Sequence, residues 1–279
     1  MLIAVTRAVS DAINRCELTH LAREPIDVDR ARAQHRAYER ALEEAGCTIV
    51  RVEAAPDLPD AVFVEDAAVV FDEVAVIMRP GAPPRRAETP AVADLVGRYR
   101  PLRFIDAPGK TMPPMNPLNP LNPLNIDGGD VLVAGRRVFV GLSGRTNGAA
   151  VDQMRMILGP HGYEVQAVPV TGCLHLKSAV TALADDQLLV NGEWIDRGRL
   201  SSFDLVDVDP REPYAANVVR VGDALVYPDS FPRTRERLER LGFRVRTVDV
   251  GELAKAEGAV TCCSLIFDGP AAALRNPVR

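Results

Sequence analysis

The sequence predicts a closed, propeller-like α/β domain assembled from ββαβ repeats. Three observations carry that expectation. Two short apolar strands joined at a tight polar turn, a helical stretch and a further strand recur along the chain. The first two strands of each unit meet at a hairpin turn and so run antiparallel, which counts against an open, doubly wound parallel sheet. The fifth copy takes strands from both ends of the chain.

The first unit begins with "AAVVFDEVAVIM" (67–78), turning at Asp72-Glu73, and continues through the helical "RRAETPAVADLVGRY" to the strand "LRFIDA". Alternation of apolar and polar positions marks its strands. The second reads "GDVLVAGRRVFVGLS" (129–143), then "GAAVDQMRMILGPHG", then "YEVQAVPV". The third opens with "SAVTALADDQLLVN" (178–191) and reaches "FDLVDVD" through a less regular stretch. The fourth runs "ANVVRVGDALVYP" (216–228), "PRTRERLERLGF", "RVRTVDV". In the fifth, "GAVTCCSLIF" (258–267) and "LIAVTRAV" supply a strand pair and "CTIVRVEA" the last strand. Its helix, "DRARAQHRAYERALEEAG", places Ala33, Ala37, Leu42 and Ala45 at near-helical spacing, with Gly46 as C-cap. The unequal spacing of the units makes this a degenerate repeat, not a regular solenoid.

One domain over residues 1–279 is expected, with a Pro/Asn-rich inserted loop at about 108–125, "PGKTMPPMNPLNPLNPLN". Its Asn-Pro-Leu triplets remove backbone donors and resist both helix and ladder. Hydrophobic residues at 47% and charged residues at 25% suit a soluble globular protein with ample core. The N-terminus lacks the features of a secretory signal, and no apolar run approaches the ~18 residues of a membrane span. A net charge of −5 with scattered basic residues argues against nucleic-acid or membrane partners and is compatible with a small cationic substrate. Five cysteines, odd in number and without a CxxC pair, argue against a disulfide framework or a structural zinc site. The cytoplasm is the expected compartment, and a homo-oligomer is compatible with the sequence.

Cys262 and Cys263 are adjacent, and on a strand their side chains would point to opposite faces, so only one could face a given pocket. A buried cysteine is otherwise a small hydrophobe. Of the four histidines, His35 and His161 read as surface residues and His20 as a loop residue near Cys16. His175, in "GCLHLKSAV", lies in an apolar frame, where both a core and a catalytic reading stay open. Asp60, Glu65 and Asp66 in "DLPDAVFVEDAAVVF" sit among apolar neighbours, a costly setting unless a cation pairs with them. Asp127 and Asp130 flank two glycines in "NIDGGDVLV"; a simple turn explains Asp130 better than Asp127. Aligning the repeats puts Asp66, Asp127, His175 with Lys177, and Cys262 just before or at each first strand. Equivalent ends would converge on one axis, where thiol, imidazole and carboxylates suit thiolate attack on a planar, cationic carbon. Metal binding would use the same groups, but their spacings match no compact zinc pattern.

The strings "LPDAVFVEDAAVV", "RPGAPPRRAE", "DGGDVLVAGR", "FVGLSGRTN", "LHLKS" and "GAVTCCSLIF" resemble the dimethylarginine dimethylaminohydrolases, of the guanidine-modifying (amidinotransferase, or pentein) superfamily, over roughly residues 2–267. The resemblance implies a five-bladed α/β propeller and hydrolysis of Nω-methylated arginine to citrulline and dimethylamine or methylamine, without metal or other cofactor. It implies Cys262 as nucleophile forming a covalent thiouronium, His175 as general acid and base, and Asp127 as the acid orienting it. By the same resemblance Asp66 grips the guanidinium, Asp60 and Glu65 contact substrate beside it, Arg85 and Arg145 bind the substrate carboxylate, and Leu18 belongs to a lid. Arginine deiminases carry His-x-Asp where this chain has His175-Leu176-Lys177, a difference that favours alkylated over free arginine. A hydrolase or deiminase acting on arginine or another guanidino compound, and a non-catalytic binding protein of the same fold, are the alternative readings.

Overall fold

The computed structural model describes residues 1–105 and 124–269, and within them the chain forms five three-stranded sheets. β1 (Leu2–Thr6) lies parallel to β2 (Cys47–Arg51), and α1 (Val28–Glu44) makes the crossover between them. β3 (Ala68–Val70) is antiparallel to β4 (Ala75–Ile77), which pairs in parallel with β5 (Leu102–Phe104) after α2 (Thr89–Val96). The same order repeats with β6 (Val131–Ala134), β7 (Arg137–Leu142), α3 (Gly148–Leu158) and β8 (Glu164–Pro169). A single turn, α4 (Leu176–Ala179), then leads into β9 (Val180–Ala182) and β10 (Gln187–Val190); a 3-10 turn at Arg197–Leu200 replaces the crossover helix before β11 (Asp204–Asp207). β12 (Val219–Val221), β13 (Ala224–Pro228), α5 (Pro232–Arg240) and β14 (Arg244–Val248) make the fourth unit. After the short α6 (Gly251–Ala254), β15 (Leu265–Asp268) pairs antiparallel with β1, so the two ends of the chain close the fifth blade.

Both faces of each central strand are buried, and alternation assigns them to different neighbours. On β1, Ala4 enters one apolar cluster while Ile3 and Val5 enter another. On β4, Val76 joins the cluster shared with β6 and β7, while Ala75 and Ile77 face that of β1 and β15. β10 divides Leu188 and Val190 from Leu189 in the same way, and β13 divides Val226 from Leu225 and Tyr227. Five clusters thus fill five blade-to-blade joints, which is how one chain seals a ring without a single central core.

Three sequence expectations change. The segment "GAVTCCSLIF" is not a continuous strand: Thr261–Cys263 forms a 3-10 turn ahead of β15. The buried residues of α1 are Ala31, Gln34, His35, Tyr38, Glu39, Ala41 and Leu42, whereas Ala33 is exposed. His35 is therefore a core residue, 3% exposed, because polar side chains occupy part of the inward face and hide its period. Of the Pro/Asn-rich tract, residues 108–123 lie outside the described residues, as do 270–279 of the tail. Among the described residues no helix is long and apolar enough to cross a membrane.

Candidate active site

The turn before the first strand of a blade points at the ring axis, and that is where the reactive side chains gather. Val64–Ala67 is a 3-10 turn carrying Glu65 and Asp66 into β3. Asp127 precedes the 3-10 turn Gly128–Asp130 that enters β6. His175 immediately precedes α4, and Cys262 is the middle residue of the turn ahead of β15. Fourth in the ring, Asn217 precedes β12 and ties its neighbours together. Its amide nitrogen donates to the Lys177 carbonyl and to the Thr261 hydroxyl, both at 2.9 Å, and its oxygen accepts from the Thr261 N–H at 3.0 Å.

Cys262, His175, Asp66, Asp60, Arg85 and Arg145 line one cavity of about 20 Å³. Glu17 and Glu257 also reach it, with Phe63, Leu174, Ala256 and Gly258 as further wall. Cys262 is half-buried there and accepts a hydrogen bond from the Ala259 N–H at 3.4 Å. Cys263 turns the other way, fully buried in the cluster beneath α1. Burial, and then the charges of Glu65 and Asp66, push the Cys262 thiol up to about 12.

His175 Nε2 lies 3.0 Å from Asp127 Oδ2, and a carboxylate can only accept, so Nε2 carries its hydrogen and Nδ1 is left for proton exchange. Nδ1 stands 3.9 Å from Asp66 Oδ1. Burial alone would depress this imidazole; Asp66, the bond to Asp127 and the charge of Asp130 outweigh it and lift the group to about 9. The other oxygen of Asp127 accepts from the Gly81 N–H at 2.7 Å. Asp66 accepts from Arg85 Nη1 at 2.6 Å and from the Gly129 N–H at 2.9 Å. Burial would raise its carboxyl, but His175 and Arg85 hold it well below the usual range. Residue 129 must be glycine for this packing, since a Cβ would meet His175 Nδ1 at 2.5 Å and Asp66 Oδ1 at 2.8 Å. Asp66, Asp127 and His175 present ligand atoms within 4.8 Å of one another. Arg85 and the amides of Gly81 and Gly129 already engage those carboxylates.

Two expected site residues stand elsewhere. Glu65 turns away from the cavity, pairing with Lys177 Nζ at 2.5 Å and accepting from the Thr261 hydroxyl at 2.9 Å. It lines a second opening of about 250 Å³, among the first strands of the blades. A buried carboxylate goes where a cation is in reach, and Lys177 supplies it. Leu18 does not line the cavity; it packs against the cluster beneath α1, next to Glu17, which does. Arg85 reaches the cavity, but its donors are taken by Asp66, by Glu88 at 2.9 Å and by the Phe63 carbonyl at 3.2 Å. Arg145 is less committed: Nη2 donates to the Thr19 hydroxyl at 2.9 Å, and Nη1 lies 4.0 Å from Asp127. Glu17, Glu257 and Asn217 were not among the residues expected at the site. Only Asn217 had a signal, its place just before a first strand.

This ring of ββαβ blades, with its reactive turns on the axis, is the pentein fold of guanidine-modifying proteins. No family model matches the chain. It is 40% identical over 269 residues to the N(G),N(G)-dimethylarginine dimethylaminohydrolase of Streptomyces coelicolor, covering 94% of this chain and 95% of that one. The enzyme of the same name from Pseudomonas aeruginosa is 35% identical over 243 residues, covering 86% and 90%. A crystal structure of the Pseudomonas aeruginosa protein, a cysteine-to-serine variant complexed with citrulline, superimposes with a TM-score of 0.85 at 33% identity, covering 95% of this chain and 98% of that one. The chain belongs to the dimethylarginine dimethylaminohydrolase family and is a hydrolase of carbon–nitrogen bonds.

Proposed function

We infer that the chain hydrolyses Nω-methylated arginine to citrulline and dimethylamine or methylamine, with Cys262 as nucleophile. The observation that carries this reading is the shared cavity: a half-buried thiol and an imidazole backed by Asp127 open into one space walled by Asp60 and Asp66. A guanidinium fits such walls because its planar donors match carboxylate oxygens. Asp66 holds the guanidinium and Asp60 stands beside it. Arg145 takes the substrate carboxylate, with Arg85 as second cation and support for Asp66. Leu18 belongs to the loop that covers the cavity. Glu65 acts at one remove, holding Thr261 beside the nucleophile.

The Cys262 thiolate attacks the guanidinium carbon, and the His175 Nδ1–H gives its proton to the departing amine as the carbon–nitrogen bond breaks. A covalent thiouronium remains. His175 Nδ1 then takes a proton from water and the resulting hydroxide adds to the carbon; as the new hydroxyl loses its proton to solvent, the carbon–sulfur bond breaks, releasing citrulline and regenerating the thiolate. A thiol held near 12 is a poor nucleophile at neutral pH; a cation bound beside it offsets Glu65 and Asp66 and favours the thiolate. Mass spectrometry of the Cys262 peptide during turnover is the test: a substrate-derived adduct is expected there, and an adduct elsewhere, or turnover by Cys262→Ser, would overturn the assignment. A substrate panel scored for citrulline and amine release places methylated arginine ahead of arginine.

A further inference from the structure

Asp130 was readable as a turn residue, but its surroundings are not those of a turn. It is completely buried, and its charged neighbour is the His175 imidazole. Its oxygens accept from the Leu176 N–H at 2.8 Å, the Ser143 hydroxyl at 2.6 Å and the Thr146 hydroxyl at 2.6 Å. Neither hydroxyl is free to point elsewhere. Ser143 Oγ already accepts from the Arg145 N–H at 3.0 Å, and Thr146 Oγ1 from the Asp127 N–H at 3.2 Å. One carboxylate therefore gathers the backbone beside His175 directly, that of Asp127 through Thr146, and that of Arg145 through Ser143. The fold makes room for it: a Cβ on Gly141 would meet Asp130 Oδ1 at 2.6 Å and Leu176 Cβ at 2.8 Å. Burial raises the Asp130 carboxyl even though the charge of His175 lowers it, and a neutral residue would serve a turn more cheaply.

We propose that Asp130 is a positioning residue, setting His175 and Asp127 for proton transfer through Leu176 and Thr146, and Arg145 for substrate binding through Ser143. The proposal rests on the roles given above to His175, Asp127 and Arg145. Because the two hydroxyls lead to different groups, cutting them separately splits the kinetics. Thr146→Val frees the Asp127 backbone and lowers kcat about tenfold to a hundredfold with KM little changed, the scale of a catalytic group misplaced by a fraction of an ångström. Thr146→Ser, which keeps the hydroxyl, restores kcat. Ser143→Ala frees the Arg145 turn and raises KM by about tenfold, the worth of one hydrogen bond, with kcat spared. Asp130→Asn shows both effects.

The experiment measures kcat and KM for dimethylarginine on the four variants, corrected for folded fraction by circular dichroism, beside trapping of the Cys262 adduct in the unaltered protein. Should Asp130→Asn fail to fold, Thr146→Val with its Thr146→Ser rescue and Ser143→Ala decide alone. A fall in kcat alone in Thr146→Val and a rise in KM alone in Ser143→Ala sustain the proposal. Unchanged kinetics, or losses that only track folded fraction, overturn it while an adduct on Cys262 leaves the catalytic reading standing. Absence of that adduct would remove the catalytic reading itself.

Discussion

At the scale of single residues, the adjacent thiols divide by geometry. Cys262 borders the cavity, whereas Cys263 is fully enclosed and its Sγ donates to the Ala259 carbonyl at 3.5 Å. Replacing Cys262 by Ser lowers citrulline release by about a thousandfold or more, because a hydroxyl is far harder to ionise than a thiol. Cys263→Ala leaves kcat within about twofold and instead costs about 1–2 kcal/mol of stability through the small cavity it opens. Paired turnover and thermal unfolding measurements on both variants check this, and a loss of kcat in Cys263→Ala in properly folded protein would contradict it. Asp66, Asp127, His175 and Cys262 were legible in the sequence because the repeat gives each the same address. Glu17 and Glu257 were not, since loop segments with no periodicity bring them to the cavity. Glu65 was misplaced because neighbours on a tight turn diverge, and nothing in "VED" says which carboxylate faces Lys177.

At the scale of elements, the hairpins were readable from alternation, while the one-turn helices that present the reactive groups are too short to carry a period. The loop at Thr19–Leu21 is tied to a distant part of the chain. Glu257, with a left-handed backbone (φ 58°), points its carboxylate at three successive amides, accepting from Thr19 at 3.0 Å, His20 at 2.5 Å and Leu21 at 2.6 Å. Arg145 adds its bond to the Thr19 hydroxyl. With the loop latched, the cavity that Glu17 and Glu257 border measures about 20 Å³. We expect substrate entry to open this latch and substrate binding to favour its closure. Glu257→Asn, which tolerates the backbone but is too short to reach all three amides, speeds hydrogen exchange at Thr19–Leu21 and raises KM several-fold, since closure no longer favours the bound state. Exchange rates equal to those of the unaltered protein would show that the loop is held by other contacts.

At the scale of the whole molecule, the joint clusters leave ionisable groups sealed inside the ring, so pH acts on the fold as a unit. His35 and His175 oppose each other. Burial pushes His35 down to about 4 against an ordinary 6.5, so the native state keeps it neutral. Its contribution is complete above 6.5 and is lost as pH falls toward 4, where the unfolded chain binds the proton and the fold does not. For His175, Asp66 and its neighbours overcome the effect of burial and raise the group from 6.5 to about 9. That contribution is complete below 6.5 and is lost as pH rises through 9. Other buried carboxyls, such as Glu88, which burial raises to about 7 despite Arg85 beside it, also slope the curve, so the two imidazoles are isolated by difference. His35 Nε2 has no hydrogen-bond partner among the described residues, so His35→Leu breaks no bond at that atom and disturbs chiefly Glu39, which His35 helps to lower. Subtracting its unfolding free energy from that of the unaltered protein leaves a curve that falls between about pH 6.5 and 4, with Glu39 adding to it at the acid end. The same subtraction for His175→Asn changes between about 6.5 and 9, with a separate change at acid pH, where Asp66 and Asp130 lose the imidazolium that lowers them. Measured by denaturant titration across that range, a difference curve that is flat for either variant would mean that its imidazole titrates alike in the folded and unfolded chains, and that the packing assigned to it here is wrong.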